Sequence, residues 1–284
     1  MEKNFPPQSY GLLGYPIKHS LSPLMHNAAF KALGLNAEYR LFELRPENLK
    51  DFPESIKKEN IRGFNVTFPY KEGIISFLED MSGEARLIGA VNTVKVLDNQ
   101  LKGFNTDGEG FLRFLSCDME FDPKDKNIAI LGAGGAAKAI AFSLAKVRPT
   151  GIAIYDLDSE KAAGLIRQLK ENFQAPGFKL ADNIEELNIE DAHILINATP
   201  VGMRQGDPCL VDEKFIHAGM LVVDLIYNPP ETKLLKIAKN KDAQVANGLG
   251  MLLYQGVYSF EIWTDQRAPI SLMREALIKG AEKL

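Results

Sequence analysis

The run "NIAILG" (127–132) passes directly into "AGGAAKAI", and this junction limits the fold more than any other stretch of the chain. Near-continuous apolar character over a few residues reads as a strand buried on both faces. The Gly/Ala-rich run behind it reads as a helix start. Gly132, Gly134 and Ala137 occupy the three positions of a G-x-G-x-x-G/A turn. The first position permits a tight turn, the second lets backbone come close to a ligand, and the third needs a small residue for close packing, where alanine serves. Free N–H groups at the helix start then face an anion. A glycine turn alone is weak evidence, but "GIAIYD" (151–156) supplies the next strand and ends in Asp156, 19 residues after Ala137. That is close to the ~20-residue spacing of the acid that meets a ribose in a dinucleotide fold. A helix cap is a poorer reading of Asp156, because Asp158 and Ser159 stand nearer the following helix and cap better.

Asp156 also bears on which dinucleotide is bound. A carboxylate accepts hydrogen bonds from the ribose hydroxyls and repels a 2′-phosphate, for which an arginine is usual. In "YDLDSEK" no arginine appears before Arg167, and Lys161 lies about a helical turn away. The residues therefore predict NAD in preference to NADP.

Other segments continue the strand–helix alternation of an α/β protein. "YGLLG" (10–14), "AEYRLFEL" (37–44) and the segment ending in "NVT" (65–67) read as strands, with helices from Ser22 to about Leu33 and near 46–59. "GAVNTVKVLDNQLKGFNTD" alternates about Asp98-Asn99 and reads as a hairpin. A second unit starts at "DGEGFLRFL" and takes in strands at "NIAILG", "GIAIYD", "AHILINAT" and "MLVVDLIY". This is the rhythm of a doubly wound parallel sheet. "LGMLLYQGVYSFEIW", apolar nearly all round, predicts a buried helix that bridges the two units, and "PISLMREALIKGAEKL" a last one. The expected domains are 1–106, 107–250 and a helical 251–284 that packs back on the first.

The bulk properties exclude several functions. With 284 residues, 45% hydrophobic, 25% charged and a net charge of −4, the chain has no general attraction for nucleic acid or anionic membrane. No apolar run has the length of a membrane span, and "MEKNFPPQSYG" lacks a signal-peptide stretch. Cys117 and Cys209 stand far apart, and His19, His26, His193 and His217 have no metal-ligand spacing. A cytoplasmic protein with no metal is expected.

The first unit carries polar residues where a plain core has no use for them. In "NVTFPYK", Asn65 and Thr67 share one face of a strand that Pro69 ends, and Lys71 follows in what reads as a first helical turn. "HSLSP" places Ser20 and Ser22 on one side of an extended segment ahead of a helix, an arrangement suited to a carboxylate. Ser22 also reads as the N-cap before Pro23. Asn92 of "AVNT" falls in the hairpin, and Asp107 of "FNTDGEGF" just before a helix.

Seven motifs occur in order over most of the chain: "GYPIKHSLSPLMHN", "NVTFPYKE", "GAVNTV", "GFNTDGEGF", "LGAGGAAKAI", "NATPVGM" and "NGLGMLLYQG". In this the chain resembles the shikimate dehydrogenase family, which includes shikimate and quinate dehydrogenases. The resemblance implies an N-terminal α/β substrate domain, a Rossmann domain, and a C-terminal helix returning to the first. It implies reversible reduction of 3-dehydroshikimate to shikimate, in the shikimate pathway of aromatic amino acid biosynthesis. It implies Lys71 and Asp107 as the catalytic pair, and Ser20 and Ser22 on the substrate carboxylate with Thr67 and Tyr227 close by. Asn92, Asp107 and Gln255 would take ring hydroxyls, and Asn65 would line the pocket. Gly132, Ala133, Gly134, Gly135 and Ala136 would cradle the pyrophosphate. Leu225 and Gly248 would approach the nicotinamide, and Thr199 and Met203 would line the cofactor cleft.

The chain departs from the pattern at one place. Many NADP-using members carry Asn-Arg-Thr where Asp156, Leu157 and Asp158 stand here, so the resemblance too favours NAD. Several NAD-using members also oxidise quinate, which makes a quinate-preferring enzyme the alternative. A cofactor-binding regulatory protein on this scaffold would be expected to lack Lys71 or Asp107. A different Rossmann dehydrogenase, such as a folate enzyme, would not need the serine pair, "NVTFPYK" and the aspartate together. The expected assembly is a monomer or homodimer.

Overall fold

The computed structural model describes residues 6–284; the reading of Met1–Phe5 as free of a signal stretch falls outside them. Two compact units result. One runs to Thr106 and includes Leu253–Lys283; the other is Asp107–Leu252.

In the first unit, β1 (Gln8–Gly14) leads to α1 (Ser22–Ala32) and β2 (Ala37–Glu43). A 3-10 turn and α2 (Phe52–Lys58) precede β3 (Ile61–Val66). Then come β4 (Asp80–Met81), α3 (Gly83–Ile88), β5 (Thr93–Leu97) and β6 (Gln100–Phe104). The sheet order is β2-β1-β3-β5-β6-β4. β1 pairs in parallel with β2 and β3, and β5 is antiparallel to both β3 and β6. Local chemistry explains several boundaries. Gly34, with φ of 64°, stops α1 as glycine does after a helix. Asp98 (φ 48°) and Asn99 (φ 62°) are both left-handed, the geometry of the two-residue turn that matches strand twist in a hairpin.

This sheet carries one core beneath Phe52, Phe64, Val94 and Leu101 and another beneath the C-terminal helices. α8 (Leu249–Thr264) enters the unit at Leu253, and α9 (Ile270–Ala281) lies against α1. The Trp263 indole donates from Nε1 to the Val94 carbonyl at 2.9 Å. A side chain at Gly63 would put a carbon 2.4 Å from that ring, so glycine is what lets α8 sit down on the sheet.

His26 is fully buried in this layer. It stacks on Tyr39 (centroids 4.4 Å apart, planes 8° apart) beside Trp263, and neither ring nitrogen has a hydrogen-bond partner. Burial lowers its pKa from 6.5 to about 3. The unfolded chain therefore takes up this proton more readily than the folded one, and stability contributed by His26 is lost as pH falls from 6.5 towards about 3. The loss approaches about 1.4 kcal/mol per pH unit. In His26→Phe, the urea midpoint should fall less steeply over this range than in the wild type.

The second unit begins with α4 (Asp107–Asp118) and then alternates. The elements are β7 (Asn127–Leu131), α5 (Gly135–Lys146), β8 (Gly151–Tyr155), α6 (Ser159–Asn172), β9 (Gly177–Leu180), β10 (Ile194–Asn197), β11 (Leu221–Asp224), α7 (Lys233–Asn240) and β12 (Gln244–Ala246). All pairings are parallel, in the order β12-β11-β10-β7-β8-β9. The connectivity reverses between β7 and β10, which opens a crevice at their carboxyl ends, where such sheets bind ligands. Among the described residues, no helix is long and apolar enough to cross a membrane.

Candidate active site

Predicted site residues in the first unit gather at one end of its sheet. Antiparallel pairing sets Asn65, near the end of β3, opposite Thr93 at the start of β5. Asn65 is buried, and its Nδ2 donates to the Asn92 carbonyl (3.1 Å), Thr93 Oγ1 (3.1 Å) and Ser259 Oγ (2.9 Å). Its Oδ1 accepts from the Tyr39 hydroxyl at 2.8 Å. Asn65 was expected to line a pocket, and its hydrogen-bonding groups are engaged by protein.

Asn92 is held just as closely. Its Oδ1 accepts from the Thr106 N–H (2.8 Å) and the Thr93 hydroxyl (2.9 Å). Its Nδ2 faces Thr106 Oγ1 (2.9 Å) and Gln255 Oε1 (3.4 Å). The carboxamide therefore has one orientation, with its donor side towards Gln255. Thr106 is the residue before Asp107, so the strap that fixes Asn92 also fixes the chain entering α4.

Lys71 lies in a turn two residues ahead of a short 3-10 helix at Gly73–Phe77, not in a first α-helical turn. Backbone holds it instead: its carbonyl accepts from the Val91 N–H at 2.8 Å, next to Asn92, and the Tyr70 N–H caps the Thr67 carbonyl at 2.9 Å. Thr67 donates its own N–H to the Leu13 carbonyl at 2.9 Å, which joins the tips of β3 and β1.

The serine pair differs from expectation. The segment ahead of α1 turns rather than extends, with the Ser20 N–H on the Ile17 carbonyl. Ser22 is the first residue of the helix, Leu21 holds the N-cap position, and no side chain caps it there. The Ser20 hydroxyl accepts the Ser22 N–H at 3.2 Å, a serine turn that leaves its own hydrogen for a ligand. Ser22 is buried.

In the second unit the glycine loop lies at the crevice. Gly132 has φ of 104°, a conformation side chains rarely adopt. A carbon added there would sit 3.0 Å from the Ala198 carbonyl oxygen and 3.2 Å from Thr199. Gly132→Ala should therefore cost about 1–3 kcal/mol, read as a lower urea midpoint, together with weaker dinucleotide binding by calorimetry. Gly134 is the N-cap of α5, with no side-chain cap, and a carbon built on it meets nothing within 4 Å. Uncapped N–H groups and open space in front of them fit a pyrophosphate.

Asp156 does more than its spacing suggested. Its Oδ2 accepts the Ala133 N–H at 2.7 Å and its Oδ1 the Asp158 N–H at 2.9 Å. The carboxylate staples the glycine loop to the end of β8. Asp158 caps α6 and pairs with Lys161 at 3.2 Å, so the lysine that follows it in sequence already has a carboxylate.

The far side of the crevice is built by residues that sequence reading missed. Asn197 closes β10, accepting from the Thr199 N–H (3.1 Å) and hydroxyl (2.7 Å) and donating to Asp224 Oδ1 at 3.0 Å. Asp224 is fully buried; burial raises its pKa, and the Thr232 hydroxyl (2.7 Å) and Ile226 N–H (3.1 Å) also donate to it. A carboxylate ending an apolar run was the available signal. Gly248 packs on the Leu225 carbonyl so closely that an added carbon would lie 2.0 Å from its oxygen, which brings those two predicted residues together. Met203 is exposed in the turn after β10.

Comparison with known proteins bears directly on these two clusters. Residues 12–94 match the shikimate dehydrogenase substrate binding domain, and residues 248–278 the shikimate 5'-dehydrogenase C-terminal domain. A Methanopyrus kandleri protein named shikimate dehydrogenase (NADP(+)) is 44% identical over 273 residues, covering 95% of this chain and 94% of that one. The chain belongs to the shikimate dehydrogenase family. A solved shikimate dehydrogenase in complex with NADP+ superposes with a TM-score of 0.88 at 44% identity, covering 96% of this chain and 95% of that one. The shikimate 5-dehydrogenase of Listeria monocytogenes, solved with shikimate and NAD, gives 0.86 at 37% identity, covering 95% and 96%. For this shikimate dehydrogenase family member, Asn65, Asn92 and Thr93 fall within the matched substrate domain, and Gln255 and Ser259 within the matched C-terminal segment.

Proposed function

We propose that this chain is an oxidoreductase that reversibly reduces 3-dehydroshikimate to shikimate and prefers NAD to NADP. The observation that carries the substrate reading is the buried polar cluster around Asn92, oriented far more firmly than packing requires and bonded through backbone to Lys71. The named activity of the M. kandleri relative supports it.

Each residue then has a task. Ser20 and Ser22 hold the carboxylate, with Thr67 and Tyr227 beside it. Asn92, Asp107 and Gln255 take ring hydroxyls, and Asn65 lines the pocket while holding the Asn92 carbonyl. Gly132 to Ala136 hold the pyrophosphate, Asp156 the adenosine ribose, Leu225 and Gly248 the nicotinamide end, and Thr199 and Met203 the rest of the cofactor. The chemistry that a nicotinamide held there would supply is hydride exchange with the substrate carbon. Reduction of a ketone leaves an alkoxide; the Lys71 ammonium stabilises that charge and supplies its proton. In the reverse direction Lys71 and Asp107 take the hydroxyl proton as one coupled unit.

The test is a rate matrix of shikimate and quinate against NAD and NADP. The highest kcat/KM is expected for shikimate with NAD. A quinate preference would move the substrate assignment, and no activity in any cell would favour a cofactor-binding protein.

A further inference from the structure

We infer that Asp224 is a positioning residue for the dinucleotide: it holds the chain segments that follow β10 and β11 in the one arrangement that receives the nicotinamide half. This rests on the dinucleotide reading of the crevice above. Asp224 ends β11 in parallel register with Asn197, the last residue of β10, and the other neighbour of β10 is β7, which leads into Gly132. Asp224 is fully buried, so any effect it has on a ligand passes through other groups. Both of its oxygens are engaged. Oδ1 accepts from Asn197 Nδ2 (3.0 Å) and the Ile226 N–H (3.1 Å), and Oδ2 accepts from the Thr232 hydroxyl (2.7 Å).

Each Oδ1 contact leads into one segment. On the β10 side, the Asn197 amide is fully used. Nδ2 also donates to the Val201 carbonyl (3.2 Å), and Oδ1 accepts the N–H (3.1 Å) and the hydroxyl (2.7 Å) of Thr199. The Thr199 hydroxyl in turn accepts the Val201 N–H at 3.2 Å. A flipped amide would set its oxygen against the Asp224 carboxylate, so Asp224 fixes the amide and with it the Thr199–Val201 turn. The Thr199 hydroxyl is thereby turned back into the protein, and its methyl carbon lies towards the glycine loop, 3.2 Å from where a carbon on Gly132 would sit. On the β11 side, the Ile226 N–H is drawn back onto Asp224, and the Ile226 carbonyl accepts the Gly248 N–H at 3.2 Å. Leu225 donates its own N–H to the Asn197 carbonyl at 2.9 Å. Leu225 and Gly248, proposed for the nicotinamide end, are thus tied to the same brace as Thr199. Apolar side chains of like volume would also pack these strand ends, but they would not fix the direction of both segments.

Asp224→Ala removes the brace and lets both segments populate other arrangements. With the competent arrangement reduced to about a tenth of the population, apparent affinity falls about tenfold. Calorimetry should therefore show Kd for NAD raised about tenfold, or Kd for NADP should the wild type bind that more tightly. KM for the cofactor should follow it, with KM for shikimate within about twofold. Asp224→Asn should rescue binding to within about threefold of wild type, because an amide keeps an oxygen for Asn197 and Ile226 and donates to the Thr232 hydroxyl. Thr232→Val is the control for stability alone. It removes the partner of Oδ2 and the N-cap of α7, where the hydroxyl accepts the Leu235 N–H at 3.4 Å. It should lower the urea midpoint and leave cofactor Kd unchanged. Asn197→Ala enters the brace from β10 and should raise cofactor Kd in the same direction as Asp224→Ala, which keeps the test open should the latter not fold. The inference is overturned if Asp224→Ala and Asn197→Ala, measured where they are folded, bind cofactor as Thr232→Val does. It is equally overturned if Asp224→Asn weakens binding as far as Asp224→Ala. Failure of the wild type and Thr232→Val alike to bind either dinucleotide would instead remove the dinucleotide reading, and this inference with it.

Discussion

Lys71→Ala lowers turnover of shikimate by roughly 10²–10⁴-fold, the usual contribution of a positioned acid–base group, with a much smaller change in KM. The fold should survive. The Lys71 backbone is held through its carbonyl by the Val91 N–H, and Tyr70 beside it is buried with its hydroxyl on the Leu44 carbonyl. None of these contacts uses the lysine side chain, so the backbone here keeps its anchors when that side chain is shortened. The two outcomes are separable. A catalytic lysine loses kcat and keeps its stability, whereas a turnover near wild type would reduce Lys71 to an ordinary lysine at a strand tip. Arginine should not rescue, because the planar guanidinium holds its proton too firmly to give it up in the cycle.

The second large effect concerns cofactor choice. We expect kcat/KM with NAD to exceed that with NADP by roughly a hundredfold, since placing like charges together costs several kcal/mol. A 2′-phosphate would approach Asp156 and Asp158, and the nearby Lys161 already pairs with Asp158 at 3.2 Å. The M. kandleri relative is named for NADP(+), so the prediction sets this chain apart from it on the strength of one loop. Comparable efficiency with the two cofactors, measured at saturating shikimate, would overturn it. Asp156→Asn is the informative variant and should narrow the ratio. Asparagine removes the charge and keeps one oxygen for the Ala133 N–H, while its amide nitrogen no longer accepts the Asp158 N–H.

What could be read in advance depended on how local the causes are. The β7–α5 turn was legible because apolar run, glycine positions and helix start lie within a dozen residues and each has its own physical requirement. The hairpin at Asp98-Asn99 was legible for the same reason. β9 and β12 were not: they are edge strands of four and three residues with mixed exposure, too short for a period to emerge. Ser22 was misread as a cap because a serine ahead of a proline is a sound local signal, yet Ser20 satisfies that N–H from outside the helix. The polar cluster was the least legible feature. Asn65 and Ser259 meet across 194 positions of sequence, and nothing periodic connects them. A serine one turn after Gln255 on an otherwise apolar helix was the only hint.

The double use of Asp156 restricts how cofactor preference can drift over evolutionary time. A neutral apolar residue there would relieve the repulsion of a 2′-phosphate but strand the Ala133 N–H and slacken the loop that must receive the pyrophosphate. Asparagine avoids that loss, which gives a physical reason for the asparagine that opens the Asn-Arg-Thr triplet of NADP-using members. A lineage can therefore exchange one dinucleotide for the other by a narrow route: first the isosteric amide, then an arginine in place of Leu157. An arginine gained first would sit between two carboxylates and be neutralised by them, so the order of substitutions is itself constrained.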